Sequence, residues 1–244
     1  MVHGLPLLCI DRVAGGKDNF CKFIFWEGMI RINKRSIWFV IVPVLLFAML
    51  AERISTNGLI RFDGWVYREA VKHMTPFLTS VFKAITHLGD PVFVTAFCSV
   101  LFLLPSSRKT IALPVSCAVI LSAVLNTFLK QMFARNRPDG LRLIYATGYS
   151  FPSGHAMINA ALYMMLILMI FRYRHHLLSK IILTFLCAAL VGLIGFSRIY
   201  LGVHYAGDVL GGWLLGLAVS FMIYLLWKNG QPLRYNSKIG SERM

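Results

Sequence analysis

The sequence predicts an all-α, polytopic membrane protein with six transmembrane helices and amphipathic helices at the outer interface between the first two spans. Three observations lead there. The 244 residues are 57% hydrophobic and 14% charged, whereas a soluble domain has about 25% charged residues. Long apolar runs recur, separated by polar connections. Lys and Arg are shared unevenly between alternate connections, as in proteins whose cytoplasmic loops collect basic residues.

Residues 1–35 are expected to form a cytoplasmic extension. MVHGLPLLCIDRVAGG has no basic lead and meets Asp11 after a very short apolar run, unlike a signal peptide. Its LPLLC stretch puts Leu8 where a lipoprotein box needs a small residue before Cys9. Met29, followed by IRINKRSIWFV, itself has the form of a start, with a short basic lead into a span.

The six spans are expected on the apolar runs at 37–51, 91–104, 111–129, 156–171, 181–196 and 207–227. Several fall short of the roughly 20 residues a spanning helix needs, so helices should extend into flanking polar residues and hold those at the membrane surface. Pro43, Pro105 and Pro114 are tolerable as kinks or near ends. Residues 52–90 include FDGWVYREAVKHMTPFLTSVFKAITHLGD, with apolar residues at mixed helical spacing, which reads as one or two interfacial amphipathic helices. Residues 36–228 thus form one six-span domain, and 229–244 a cytoplasmic tail.

With alternating sides, residues 1–36, 105–110, 172–180 and 228–244 share a side that holds 15 Lys/Arg and 4 Asp/Glu; the other side holds 10 and 6. The first side is expected in the cytoplasm, with both termini. The net charge of +15 then reads as loop charge and not as a nucleic-acid surface, because no basic stretch is interleaved with aromatics in a recognisable module. Cys9, Cys21, Cys98, Cys117 and Cys187 form no CxxC pair, which argues against a disulfide frame or a metal site.

Three polar clusters fall on the outer side by this topology: KQMFARNRP at 130–138, PSGH at 152–155 and SRIYLGVHYAGD at 197–208. Lys130, Arg137 and Arg198 bring three cations to one surface, and the arginine forks match phosphate oxygens. Ser153 and Gly154 open the fourth span, where free backbone N–H groups and the helix dipole bind anions. His204 and Asp208 stand at i and i+4 on one helix face. A carboxylate on one ring N–H fixes the tautomer and frees the other nitrogen to attack. His155, beside the anion turn, is placed to protonate a leaving oxygen.

These residues resemble the type 2 phosphatidic acid phosphatase family, whose site is shared with vanadium haloperoxidases. Its pattern is K-x6-RP, PSGH, then SR-x5-H-x3-D. Lys130 to Arg137-Pro138, Pro152 to His155, and Ser197-Arg198 to His204 to Asp208 match it throughout. The resemblance implies a phosphohistidine on His204 aimed by Asp208, His155 as the acid, and Lys130, Arg137, Ser153, Gly154 and Arg198 as phosphate holders. It implies no cofactor and no metal, in keeping with Asp139 being the one further carboxylate in the motif region.

The expected partners are therefore the bilayer and a lipid phosphate or pyrophosphate of the undecaprenyl pyrophosphate or phosphatidylglycerophosphate type. The outward-facing site slightly favours the isoprenyl carrier. A phosphotransferase using the same site and a non-catalytic lipid-binding or translocating protein are the competing readings, and oligomeric state is left open. Outside the pattern, Arg135, Asn136 and Arg142 read as surface or headgroup contacts, His87 as an interfacial cap, and His175 and His176 as loop charge. Gly207, Gly211, Gly212 and Gly216 give small-residue spacing for close packing within the chain.

Overall fold

Helices form where the apolar runs demand them, because a bilayer leaves no water to satisfy backbone N–H and C=O groups. The computed structural model describes residues 36–174 and 176–229. Expectations for the N-terminal extension, His175 and the tail lie outside the described residues. Those residues form eight α-helices: α1 (Trp38–Ser55), α2 (Ile60–Lys72), α3 (Pro76–His87), α4 (Pro91–Leu103), α5 (Leu113–Phe133), α6 (Gly154–Tyr173), α7 (Leu177–Tyr200) and α8 (Ala206–Asn229). A π-helical turn, Arg108–Ala112, leads directly into α5.

Among the described residues, five helices are long and apolar enough to cross a membrane: α1, the π turn with α5, α6, α7 and α8. The expected second span differs from a straight helix on 91–104. Its helix, α4, has 13 residues and reaches only about 20 Å at 1.5 Å per residue, against roughly 30 Å of hydrocarbon. It reaches spanning length only together with α3, across a 46° bend, and that bent pair makes the sixth candidate. The cause is local: Pro91 sits in the first turn of α4 and cannot donate to α3, so the chain breaks at Leu88–Asp90.

The small-residue stripe of α8 faces α6. A Cβ on Gly212 would lie 2.7 Å from the Ser153 carbonyl oxygen, and one on Gly216 would lie 2.5 Å from that of Met157. Only glycine lets the two backbones approach this closely. Ser220 Oγ continues the seam by donating to Ala161 O at 2.9 Å. Beneath the polar end, Phe151 stacks on Phe47 of α1 at 5.5 Å and meets Phe133 of α5 edge-on at 4.9 Å. This fully buried ring anchors the segment leading into α6. At the end of α7, Tyr200 Oη accepts from the Thr75 backbone N–H at 3.2 Å, which ties α3 to α7.

Candidate active site

Each polar cluster is delivered by a helix end. α5 stops at Ala134, whose left-handed φ of 42° turns the chain away and leaves Lys130 in the last helical turn. The connection from 135 to 153 folds back on itself: Ser150 N–H donates to Arg135 O at 2.8 Å, and Ser150 Oγ to Asn136 O at 2.9 Å. Ser153 N–H then donates to Asp208 O at 3.0 Å, joining the start of α6 to the first turn of α8. At the end of α7 the chain reverses at Gly202, with φ +73°, where any Cβ would clash with the Leu141 carbonyl oxygen. The Arg198 carbonyl accepts from both Val203 and His204 N–H, at 3.1 and 3.2 Å, which sets His204 beside Arg198.

The result is one cavity of about 400 Å³ whose wall includes Lys130, Arg137, Gly154, His155, Arg198 and His204. Ser153 and Asp208 stand fully buried behind it. All eight expected residues therefore meet at one place. The Ser153 amide, expected to face an anion, is instead committed to Asp208 O, because it ties two helix ends together. Its hydroxyl is buried with no hydrogen-bond partner among the described residues.

His204 is held at both ring nitrogens. Nδ1 lies 3.4 Å from Asp208 Oδ2, and Arg137 Nη1 approaches Nε2 at 3.2 Å. A guanidinium can only donate, so Nε2 carries its lone pair and Nδ1 its proton. Burial drives the His204 pKa down to about 3 despite the pull of Asp208, so the ring is neutral. Arg137 is held in turn by Val203 O at 2.8 Å and Thr147 O at 2.7 Å. Lys130 Nζ donates to Tyr149 O at 2.5 Å. Arg198 Nη1 donates to Thr86 Oγ1 at 2.7 Å, while its buried Nε has no partner among the described residues.

One side chain changes role relative to the sequence reading, and two more join the site. Arg135 is not a surface or headgroup contact. Its side chain is 16% exposed, with Nη1 2.5 Å from Asp208 Oδ1 and Nη2 2.6 Å from Asp63 Oδ2. Burial works against its charge, but Asp208 and Asp63 more than offset this and hold its pKa above the ordinary value. The carboxylate count around the motifs also misses two groups. Asp63 of α2 is 2% exposed and accepts from Gly207 N–H at 2.8 Å. Asp90, in the break between α3 and α4, lies 2.8 Å from His155 Nε2. Both come from residues 52–90, remote in sequence from the motifs. The available signal is an Asp on the same helix face as Ala70, seven residues on, and an Asp in the Gly-Asp-Pro break.

The remaining polar residues divide plainly. Asn136, Arg142 and His176 are exposed, and Asp139 is fully exposed. His87 ends α3, is largely exposed, and bonds Asp90 Oδ2 through Nδ1 at 2.7 Å.

Residues 111–231 match the family model for the PAP2 superfamily. The chain is 34% identical to phosphatidylglycerophosphatase B of Bacillus subtilis over 186 residues, covering 73% of this chain and 90% of that one. It is 25% identical to an undecaprenyl-diphosphatase of Sulfolobus acidocaldarius, covering 78% and 91%. The crystal structure of a transmembrane PAP2-type phosphatidylglycerolphosphate phosphatase from Bacillus subtilis superposes with a TM-score of 0.73 at 30% identity, covering 81% of this chain and all of that one.

Proposed function

Since this chain belongs to the PAP2 superfamily and is a multi-pass membrane hydrolase of phosphate esters, we propose that it removes the terminal phosphate from a membrane lipid phosphate or pyrophosphate through a phosphohistidine on His204. The observation that supports this best is the state of His204: a neutral ring, its Nδ1 against Asp208, its Nε2 lone pair beside Arg137 in a cavity with three cations.

In the first step His204 Nε2 attacks phosphorus and the bond to the leaving oxygen breaks. That oxygen takes a proton from His155. Arg137, Arg198 and Lys130 neutralise the equatorial oxygens as charge spreads over them. The unpartnered Arg198 Nε, the Ser153 hydroxyl and the Gly154 amide at the start of α6 supply further donors. In the second step water attacks the phosphohistidine and gives a proton to His155. Orthophosphate leaves, and both rings return to their starting states. The cations do the work that a metal would otherwise supply.

The six-span unit, residues 36–228, carries this activity. The Lys/Arg bias supports cytoplasmic termini and a site on the outer face of the cytoplasmic membrane. There the tail stays in the bilayer while the phosphate meets the cations. Identity to a phosphatidylglycerophosphatase weighs toward phosphatidylglycerophosphate, and the outward site toward undecaprenyl pyrophosphate. Phosphate release from both lipids and from phosphatidate, by purified protein in detergent, separates these substrates. Release from none of them, or full activity in His204→Ala, would overturn the reading.

A further inference from the structure

The cavity contains a second carboxylate–histidine pair that the three motifs do not include. Asp90 Oδ1 lies 2.8 Å from His155 Nε2, and Asp90 Oδ2 lies 2.7 Å from His87 Nδ1. The contact is built into the packing and is not a chance surface pair. Asn159, 1% exposed, donates from Nδ2 to Gly89 O at 3.2 Å and to His155 O at 2.9 Å, so one buried amide clamps the α3–α4 break onto the start of α6. Gly89 makes the approach possible. A Cβ there would lie 2.9 Å from His155 Cδ2 and 2.7 Å from Ile194 Cγ2.

The electrostatic setting gives the pair a task. Arg198 from α7, Lys130 from α5, Arg137 from the following connection and His204 from the α7–α8 connection surround the cavity that His155 lines. Three fixed cations disfavour a fourth, yet an acid must carry its proton when the leaving oxygen departs. Asp90 is the carboxylate that faces His155 and offsets them. With Nε2 taken by Asp90, the other ring nitrogen, Nδ1, is left for the substrate. The arrangement mirrors His204, whose Nδ1 is taken by Asp208 and whose Nε2 is left to react.

We propose that Asp90 is a positioning residue for the reaction: it orients His155 and favours the protonated ring for donation to the leaving oxygen, with His87 as its solvent-facing partner. This rests on the phosphohistidine reading above. No additional proton donor is required, since the proton that His155 gives to the leaving oxygen in the first step is replaced by the one it takes from water in the second.

The test uses full-length protein in detergent with two probes, dioctanoyl phosphatidate and dioctanoylglycerol pyrophosphate. The first must expel an alkoxide, which needs the acid; the second expels a phosphate, which needs it far less. General-acid catalysis contributes roughly 10²–10⁴-fold, so Asp90→Asn should lower kcat on phosphatidate by about 10²-fold and on the pyrophosphate by under about tenfold. On phosphatidate the basic limb of its pH–rate profile should move to lower pH, and Asp90→Glu, which retains the carboxylate, should recover part of the loss. Equal losses on both probes, an unmoved basic limb, or unchanged activity would overturn the proposal while leaving the phosphatase reading intact. A wild type that releases phosphate from neither probe, nor from the lipids named above, would overturn that reading and this proposal with it.

Discussion

Asp208 is shared: its Oδ1 lies 2.5 Å from Arg135 Nη1, while its Oδ2 takes the Tyr205 N–H at 2.9 Å and faces His204. Arg135 also reaches Asp63 on α2, which accepts the Gly207 N–H at the start of α8. An ion network therefore aims the carboxylate that aims the proposed nucleophile. Removing Arg135 leaves two buried carboxylates uncompensated. Arg135→Ala should destabilise the protein by about 3–5 kcal/mol, visible as a lower melting temperature in detergent, with a parallel loss of kcat. Arg135→Ala combined with Asp63→Asn should cost less than the sum of the two single changes, because they share one network.

His204 should stay neutral well into the acid range. Its pKa lies near 3, below its ordinary value, and burial is the main cause. Protonation of the ring therefore begins only as pH falls toward 3. In protein labelled at the histidine ring, the His204 NMR signal should hold its neutral position from pH 7 down to about 4.5. A His204 signal that titrates near 6.5 would contradict the buried, neutral ring.

The α6–α8 seam predicts a contrast between two glycines. Gly212→Ala drives a methyl toward the Ser153 carbonyl oxygen, 2.7 Å from the new Cβ. It should cost about 1–3 kcal/mol as overpacking, and it should reduce activity because α8 carries Asp208. Gly192 lies within α7, and a methyl group added there would meet nothing within 4 Å. Gly192→Ala should raise stability by about 0.5–1 kcal/mol through helix propensity and leave kcat unchanged. Melting curves and phosphate release read both.

A chelator should leave activity unchanged, and an oxyanion should inhibit it. Among the described residues no group of three or more His, Cys, Asp or Glu side chains is placed to hold a metal, and three cations already face the cavity. Activity should survive EDTA undiminished. Vanadate, which mimics the transferring phosphoryl group, should inhibit competitively. Loss of activity on chelation, restored by a divalent metal, would overturn the metal-free mechanism.

Much of this protein is local and is legible as such. Lys130, Arg137, Ser153, Gly154, His155, Arg198, His204 and Asp208 stand at spacings that the motifs display. The apolar runs announce the long helices because lipid forces backbone groups to pair within a segment. The second span reads from hydropathy as one straight helix, because hydropathy does not register the break that Pro91 imposes between two short helices.

Composition and short-range order are enough to establish the membrane class, the family and the inventory of the polar cluster that lines or backs the cavity. Folding in three dimensions selects which carboxylates serve that cluster. Asp63 and Asp90 come from residues more than 60 positions before the histidines they act on or near, and Arg135 looks like any interfacial cation until folding buries it between two aspartates. Ion pairing and burial depend on distance in space, and no local pattern reports which remote charge will fill a pocket.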